Sequence, residues 1–342
     1  MGGLVVPPGL RWAGLGVVLV GSAALPGLLS PTNLTVYINA CLIILVTTGL
    51  TLLMGYAGQF SAGQIAFMVV GGYVTAVLSV HGWPTVVALI AGPVAAAVIA
   101  AGIGIPILRL RANYLAFATM AVQLILLNLI GNSPYLGGGS GLVGIPLLGV
   151  GAWKIHSLQG YAWLSWAAVV LVVGMTANLI RSRPGRALRA LASSEVAAEA
   201  AGVAVIRYKI VVFAISAAYA GLAGSIFAFF MGSVNPDAFP LSLSIESIVM
   251  VIIGGLGSIS GGVLGSLVIV LLLQGLNVLG SAPGMSPTMP VVLSYAVYGV
   301  LLMAVVLLLP DGLLRAVTQG LARWGRPQPA VAYPAARDEA RV

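Results

Sequence analysis

Long apolar segments recur from residue 13 to residue 309, and charged residues are almost absent from them. A helix needs about 20 consecutive apolar residues to cross the roughly 30 Å hydrocarbon core of a bilayer. Only 6% of the 342 residues are charged, whereas about 25% are charged in an ordinary soluble domain. The segments also lack the apolar–polar alternation of membrane β-barrel strands. The sequence therefore predicts an all-α integral membrane protein.

Ten of these segments are candidate transmembrane helices, which gives a polytopic bundle of about ten spans. The first segment could instead be a secretory signal peptide, because a basic residue precedes an apolar run that contains small residues. We prefer a retained first span, since the charge distribution agrees with ten. The candidate spans are 13–29, 35–54, 62–80, 84–108, 113–131, 161–180, 210–231, 242–256, 261–279 and 289–309.

The basic residues lie between the apolar segments and define a topology. If both termini are cytoplasmic, ten spans place every basic residue except Lys154 in the cytoplasm, as the positive-inside rule requires. This explains the net charge of +8 without a nucleic-acid partner, and it predicts a multi-pass membrane protein. Residues 1–325 would form the transmembrane domain, with an outer loop at 132–160, a cytoplasmic loop at 181–209 and a disordered tail at 326–342.

The cytoplasmic loop has the signals of two short helices. Pro184 suits a first helical turn, and a helix could continue past Arg186 and Arg189. A second helix could begin after Ser194 and end at Gly202, with acidic residues one turn apart on one face. Such a compact helix could fit a groove on a partner protein, but a solvated connecting helix explains the pattern equally well.

Polar residues within apolar segments are candidates for a translocation path, because they are costly in a bilayer. Glu246 could face such a path, contact a neighbouring helix or extend toward the interface. Four polar residues adjoin a glycine-rich break before the third span, where irregular backbone requires burial in protein or a cavity. They line either the path or an ordinary turn, and they are Tyr56, Gln59, Ser61 and Gln64.

Other features restrict the chemistry of the chain. Its only lysines, Lys154 and Lys209, do not end a phosphate-binding G-x-x-x-x-G-K pattern, so ATP would have to bind another subunit. Cys41 is the single cysteine, which excludes an internal disulfide. No histidine cluster or paired carboxylates at membrane depth suggest an enzyme. A four-residue glycine spacing predicts close helix packing at Gly257, Gly261 and Gly265.

Several stretches resemble the LivM-type permease of branched-chain amino acid ATP-binding cassette importers. The longest is RSRPGRALRALASSEVAAEAAGVAVIRYKIVVFAISAAYAGLAGSIFAF at 181–229, and NPDAF at 235–239 precedes SIESIVMVIIGGLGSISGGVLG at 244–265. GYAGQFSAGQIAFMVVGGYVTA at 55–76, LRLRANYLAFATM at 108–120 and GGGSGLVGIP at 137–146 also agree. The similarity covers most of the chain between these limits, although Gln64 stands where many relatives carry histidine.

The resemblance implies a complex with a second permease subunit, two cytoplasmic ATPase subunits that bind ATP and Mg²⁺, and an extracytoplasmic solute-binding protein. It implies alternating access driven by the ATPases, and no cofactor bound by this chain. Urea, a short amide or another small solute remains an alternative to amino acids, as does an ion-coupled secondary transporter. The resemblance also implies a location in the bacterial inner membrane. Residues that resemble an EAA-type ATPase-docking loop, with altered spacing, are Glu195, Glu199, Ala200, Ala201 and Gly202. Arg186 and Arg189 of the same cytoplasmic loop are further candidates for ATPase coupling.

Overall fold

The computed structural model describes residues 21–108, 112–150 and 153–280, together with 296, 297, 299, 300 and 303. Residues 21–28 are helical. The predicted tail at 326–342 lies outside the described residues, as do residues 13–20 of the predicted span 13–29 and most of the span 289–309.

The described chain is mainly α-helical, and a five-residue π-helix, Leu52–Tyr56, directly continues the first long helix. We number the α-helices from residue 31 onward. They are α1 (Pro31–Thr51), α2 (Gln64–Val80), α3 (Thr85–Ile107), α4 (Ala112–Gly131), α5 (Leu158–Arg181), α6 (Arg183–Ser193), α7 (Glu195–Ala200), α8 (Val205–Met231), α9 (Leu241–Gly254) and α10 (Ile259–Gly280).

Eight predicted spans coincide with helices of this structure, namely α1 to α5 and α8 to α10. In the described part of the chain, seven helical segments are long and apolar enough to cross a membrane. The eighth, α2, has 17 residues and is shorter than each of these seven segments, one of which joins α9 to the turn before it as Pro236–Gly254. The prediction of an all-α, multi-pass membrane protein is confirmed.

The centre of the bundle is formed by α2, α3 and α8, which pack closely on one another. Glycines allow this approach, because a Cβ atom at Gly71 or Gly224 would overlap the backbone of the facing helix. Hydroxyl groups add hydrogen bonds across the contact: Thr75 Oγ1 donates to Ser225 Oγ over 2.8 Å. Around this centre, α1 packs against α5 and α8, while α9 and α10 pack against each other and α1.

The bundle has two chemically different ends, joined by α5. At 1.5 Å per residue, the 24 residues of α5 span about 36 Å. One end carries α6 and α7, and we call residues 181–204 the basic end. The other, which we call the strand end, comprises residues 132–157 and 232–240.

Short strands organise the strand end, where the sequence predicted a long loop. β1 (Leu142–Val143) pairs antiparallel with β4 (Ser233–Val234), which follows α8. The second pair joins β2 (Gly149–Val150) to β3 (Trp153–Lys154). Gly141 has a φ of +73°, and a Cβ there would overlap the carbonyl oxygen of Val234. This residue must therefore be small for the first strand pair to form.

Candidate functional site

The helical path is interrupted after the π-helix. Residues 58–63 form no regular helix, and Gly58 adopts a left-handed φ of +65° that glycine tolerates without strain. The backbone N–H of Gln59 donates to Leu53 O over 3.1 Å and closes the end of the helix. Single π-turns within long helices are frequent at functional sites. We call residues 57–64 the polar break.

Three side chains of the polar break are buried without their full set of hydrogen bonds. Gln59, Ser61 and Gln64 are at most 3% exposed. Both amide atoms of Gln59, the hydroxyl of Ser61 and Oε1 of Gln64 have no hydrogen-bond partner among the described residues. Leaving a buried polar group unpaired costs about 1–3 kcal/mol. Four such atoms within six residues are unusual in a protein interior, and they make the polar break a candidate functional site.

The amide nitrogen of Gln64 links the polar break to α8. Its Nε2 donates to Ser216 Oγ over 2.8 Å and lies 2.9 Å from Ser216 O. Ser216 is the twelfth residue of α8, which places it about 16 Å from the first residue of that helix. The contact is therefore within the bundle, not at its surface.

The polar break also contacts α4 and α9. The N–H of Ala62 donates to Thr119 Oγ1 over 2.9 Å, and Ile65 N donates to Ser244 Oγ over 3.3 Å. Ser244 Oγ in turn donates to Gln123 Oε1 over 2.6 Å. These contacts hold the start of α2 between three helices, so the irregular backbone is surrounded by protein, as a break within a membrane protein requires.

The other two candidates for a path lie differently. Tyr56 is the last residue of the π-helix and is partly buried. Glu246 is half-buried on α9, and its carboxylate has no hydrogen bond or ion pair to the described chain. Ser244 faces the polar break, and a residue two positions further along a helix is turned by about 200°. Glu246 therefore points away from the break.

At the basic end, α6 is anchored by one apolar face. Gly185, Leu188 and Leu191 are buried, whereas Arg186 and Arg189 are exposed. The Nη1 group of Arg189 donates to the carbonyl oxygen of Ile180 over 3.1 Å, at the end of α5.

The same helix lies against the polar break. A Cβ atom at Gly58 would be 3.3 Å from the Cα atom of Ala192 in α6, and α6 also contacts the π-helix. A displacement of α6 would therefore act on the segment that leads to Gln64.

The helix α7 is capped and short. Ser194 Oγ accepts a hydrogen bond from Ala197 N over 3.2 Å, and Gly202 has a φ of +82° just beyond the helix. Ala198 is buried, while Val196 is 78% exposed. Glu199, Ala200, Ala201 and Gly202 are exposed as well.

Glu195 has an intramolecular partner that the sequence interpretation missed. Its Oε1 lies 2.5 Å from Nζ of Lys209 at the start of α8, and the Lys209 side chain is only 10% exposed. The ion pair links α7 to α8, the helix whose Ser216 accepts the hydrogen bonds from Gln64. One feature of the sequence could have predicted this pair: Lys209 lies in the first turns of an apolar helix, and a lysine that is buried there needs a nearby partner for its charge.

The glycines singled out by spacing lie where α9 meets α10. A Cβ at Gly261 would overlap Gly254 O, and one at Gly265 would overlap Met250 O. Gly257 lies in the turn before α10 with a φ of +83°, and it contacts Gly55 of the π-helix. The two glycine-rich stretches of the sequence therefore pack on each other.

A bundle of helices long enough to span a membrane, with one helical path interrupted inside the protein, has the architecture of a helical transport protein. A family model described as "Branched-chain amino acid transport system / permease component" matches residues 33–306, and the chain belongs to this permease family. No solved structure matches the chain.

Three curated relatives show how the similarity is distributed. The chain is 32% identical to the high-affinity branched-chain amino acid transport system permease protein LivM of Salmonella typhimurium over 270 residues, which are 70% of this chain and 63% of that protein. It is 31% identical to the Escherichia coli LivM over 282 residues, 74% of this chain and 65% of that protein. Similarity to the E. coli permease protein LivH is 28% over 291 residues, 79% and 90% of the two chains. The chain thus spans slightly less than two thirds of the LivM proteins.

Proposed function

We propose that this chain is the membrane-spanning permease subunit of an ATP-driven importer for branched-chain amino acids. Membership of the permease family over residues 33–306 supports the proposal. In this proposal the chain crosses the bacterial inner membrane ten times with both termini in the cytoplasm. It assembles with a second permease, two ATPase subunits and an extracytoplasmic solute-binding protein.

The chain itself would hydrolyse no ATP. Its two lysines, Lys154 and Lys209, do not end a phosphate-binding loop, and Lys209 is paired with Glu195. ATP and Mg²⁺ would bind to the ATPase subunits. The basic end would receive their movement, because there a rigid pair of short helices combines an exposed surface with buried anchors.

The observation that carries the mechanism is the double anchorage of this helix pair. α6 lies against the polar break at Gly58, and α7 is bound to α8 by the Glu195–Lys209 ion pair. The polar break and α8 meet again at the Gln64–Ser216 hydrogen bonds. A displacement at the basic end would therefore be transmitted to the Gln64–Ser216 contact in two ways, through α6 and the polar break and through α7 and α8.

The polar break would line the translocation path when the bundle reorients. Gln59, Ser61 and Gln64 offer unpaired donors and acceptors without a net charge, and a zwitterionic amino acid can use both kinds. In this structure the three side chains are buried. Opening the path would expose them to solute and water and would relieve their unpaired state.

An arginine at Val196 tests the ATPase contact. Val196 is 78% exposed although it is apolar, as expected for a residue that a partner covers. We expect Val196→Arg to lower ATP-driven uptake of L-leucine by about tenfold or more, since burying an unpaired charge in an interface costs several kcal/mol. Co-purification of the ATPase subunits with the tagged permease should fall in parallel.

The matched control is Val143→Arg, an equally apolar residue that is 71% exposed at the strand end. This variant should retain the ATPase subunits. Normal ATPase binding and uptake by Val196→Arg would refute the docking assignment. Uptake by the wild-type permease that persists without any ATPase subunit would instead favour an ion-coupled secondary transporter.

A further inference from the structure

A cleft at the strand end, formed where α4 ends and α9 begins, is not part of the polar break. Its volume is about 450 Å³, within the roughly 300–1,000 Å³ range of small-molecule pockets. Three of its lining residues are polar, Asn128, Asn132 and Asp237, and its apolar walls come from Leu127, Pro236 and Pro240. We call it the strand-end cleft.

The polar groups that remain free in this cleft are hydrogen-bond acceptors. Asn128 Nδ2 donates to Leu124 O over 2.9 Å, and Asn132 Nδ2 donates to Asn128 O over 2.8 Å. Each asparagine thus turns its amide nitrogen to the backbone of its own helix. Both Oδ1 atoms lack a partner in the described part of the chain.

Asp237 adds a negative charge that the local structure does not need. The surrounding 3-10 turn, Pro236–Ala238, is capped by Asn235, whose Oδ1 accepts from Ala238 N over 2.9 Å. The Asp237 carboxylate is exposed and forms no ion pair or hydrogen bond with the described residues. The side chain is therefore available to a ligand.

We propose that the strand-end cleft receives the ammonium group of a small zwitterionic amino acid with an apolar side chain. An ammonium group has three donors and no acceptor, which complements one carboxylate and two amide oxygens. The adjoining leucine and proline walls provide apolar contact for the side chain. This inference rests on the proposed importer function. In that function the strand end faces the solute-binding protein, and the cleft is the first binding site along the translocation path.

Charge removal and charge retention at Asp237 separate this role from a structural one. Asp237→Asn keeps the size of the side chain and should preserve a turn. We expect it to lower the uptake rate of L-leucine at saturating concentration by about tenfold, because the amide oxygen can still accept a hydrogen bond but the stronger, charge-assisted bond to the ammonium group is lost. Asp237→Glu should retain at least about half of the rate. The control His156→Gln, an exposed residue at the same end, should behave as wild type.

Thiol labelling gives a direct readout of occupancy. The only native cysteine of this chain, Cys41, is buried at 5% exposure, so the thiol introduced by Asn132→Cys would be the main maleimide target of this subunit, whose labelling is read from its own gel band in the complete importer. L-Leucine delivered by the solute-binding protein should slow labelling several-fold. Urea at the same concentration, which lacks an ammonium group, should leave the labelling rate unchanged.

The outcomes distinguish this inference from the proposed function. A wild-type complex without ATP-driven L-leucine uptake would overturn the proposed function. If the wild type transports L-leucine, unchanged uptake by Asp237→Asn or an unaltered labelling rate at position 132 would overturn only the assignment of the cleft. A rate loss shared equally by Asp237→Asn and Asp237→Glu would show that Asp237 acts through structure, not charge.

Discussion

Replacing Gly224 by valine is expected to prevent stable assembly of the helix bundle. Gly224 lies on α8, and a Cβ atom there would overlap the carbonyl oxygen of Met68 and lie 2.8 Å from the backbone nitrogen of Gly72 on α2. These are backbone atoms, so no side-chain rotation can relieve the overlap. The two helices would have to separate, and the hydrogen bond between Thr75 and Ser225 would be lost with the contact.

The expected loss is about 3 kcal/mol, at the upper end of overpacking in well-packed cores. The measurement is the midpoint of thermal unfolding in detergent, together with the yield of monodisperse protein by size-exclusion chromatography. Gly174→Val is the matched control, because no atom lies within 4 Å of a Cβ at that exposed position of α5. A Gly224→Val protein with wild-type yield and melting would contradict the packing of α2 on α8.

Disrupting the ion pair between Glu195 and Lys209 is expected to uncouple transport. Lys209 is 8% exposed, and its ammonium group lies 2.5 Å from the carboxylate of Glu195. Without the carboxylate, a buried charge is left unpaired and α7 loses its bond to α8. We expect Glu195→Gln and Lys209→Met each to reduce L-leucine uptake strongly, while the ATPase subunits remain bound.

A double-mutant cycle identifies this effect as a pairwise interaction. Residues in direct contact show coupling energies of about 0.5–3 kcal/mol, so the combined Glu195→Gln and Lys209→Met variant should lose less than the sum of the single losses. Arg207→Met is the control, since Arg207 is an exposed basic residue of α8 outside the candidate docking loop and has no ion pair within the described chain. Strictly additive losses in uptake would exclude a mechanical link through this pair.

The helices were predictable because a membrane-spanning segment is recognised from its own residues, without knowledge of its partners in the fold. Apolar runs of about 20 residues stand out wherever charges interrupt the chain, and α3, α5 and α10 lie close to their predicted limits. The two short helices of the basic end were also readable, since Pro184, Ser194 and Gly202 are local signals for the beginning or end of a helix.

The contacts that define the site were not predictable from the sequence. Gln64 and Ser216 are 152 residues apart in the sequence. How two distant helices align along their axes does not show in the apolar pattern of either helix. The four-residue spacing drew attention to Gly257, yet Gly71 and Gly224, which bring the central helices together, have no such pattern. The ion pair between Glu195 and Lys209 was not predicted either, because it depends on how the turn after α7 brings α8 beside Glu195.

The central claim is that the basic end faces the cytoplasm and takes its movement from an ATPase. The most direct measurement is labelling of Val196→Cys with a membrane-impermeant maleimide, because Cys41 is buried. We expect labelling in inside-out vesicles that lack the ATPase subunits, protection when those subunits are bound, and no labelling in right-side-out vesicles. Labelling in right-side-out vesicles, or equal labelling with and without the ATPase, would contradict the account.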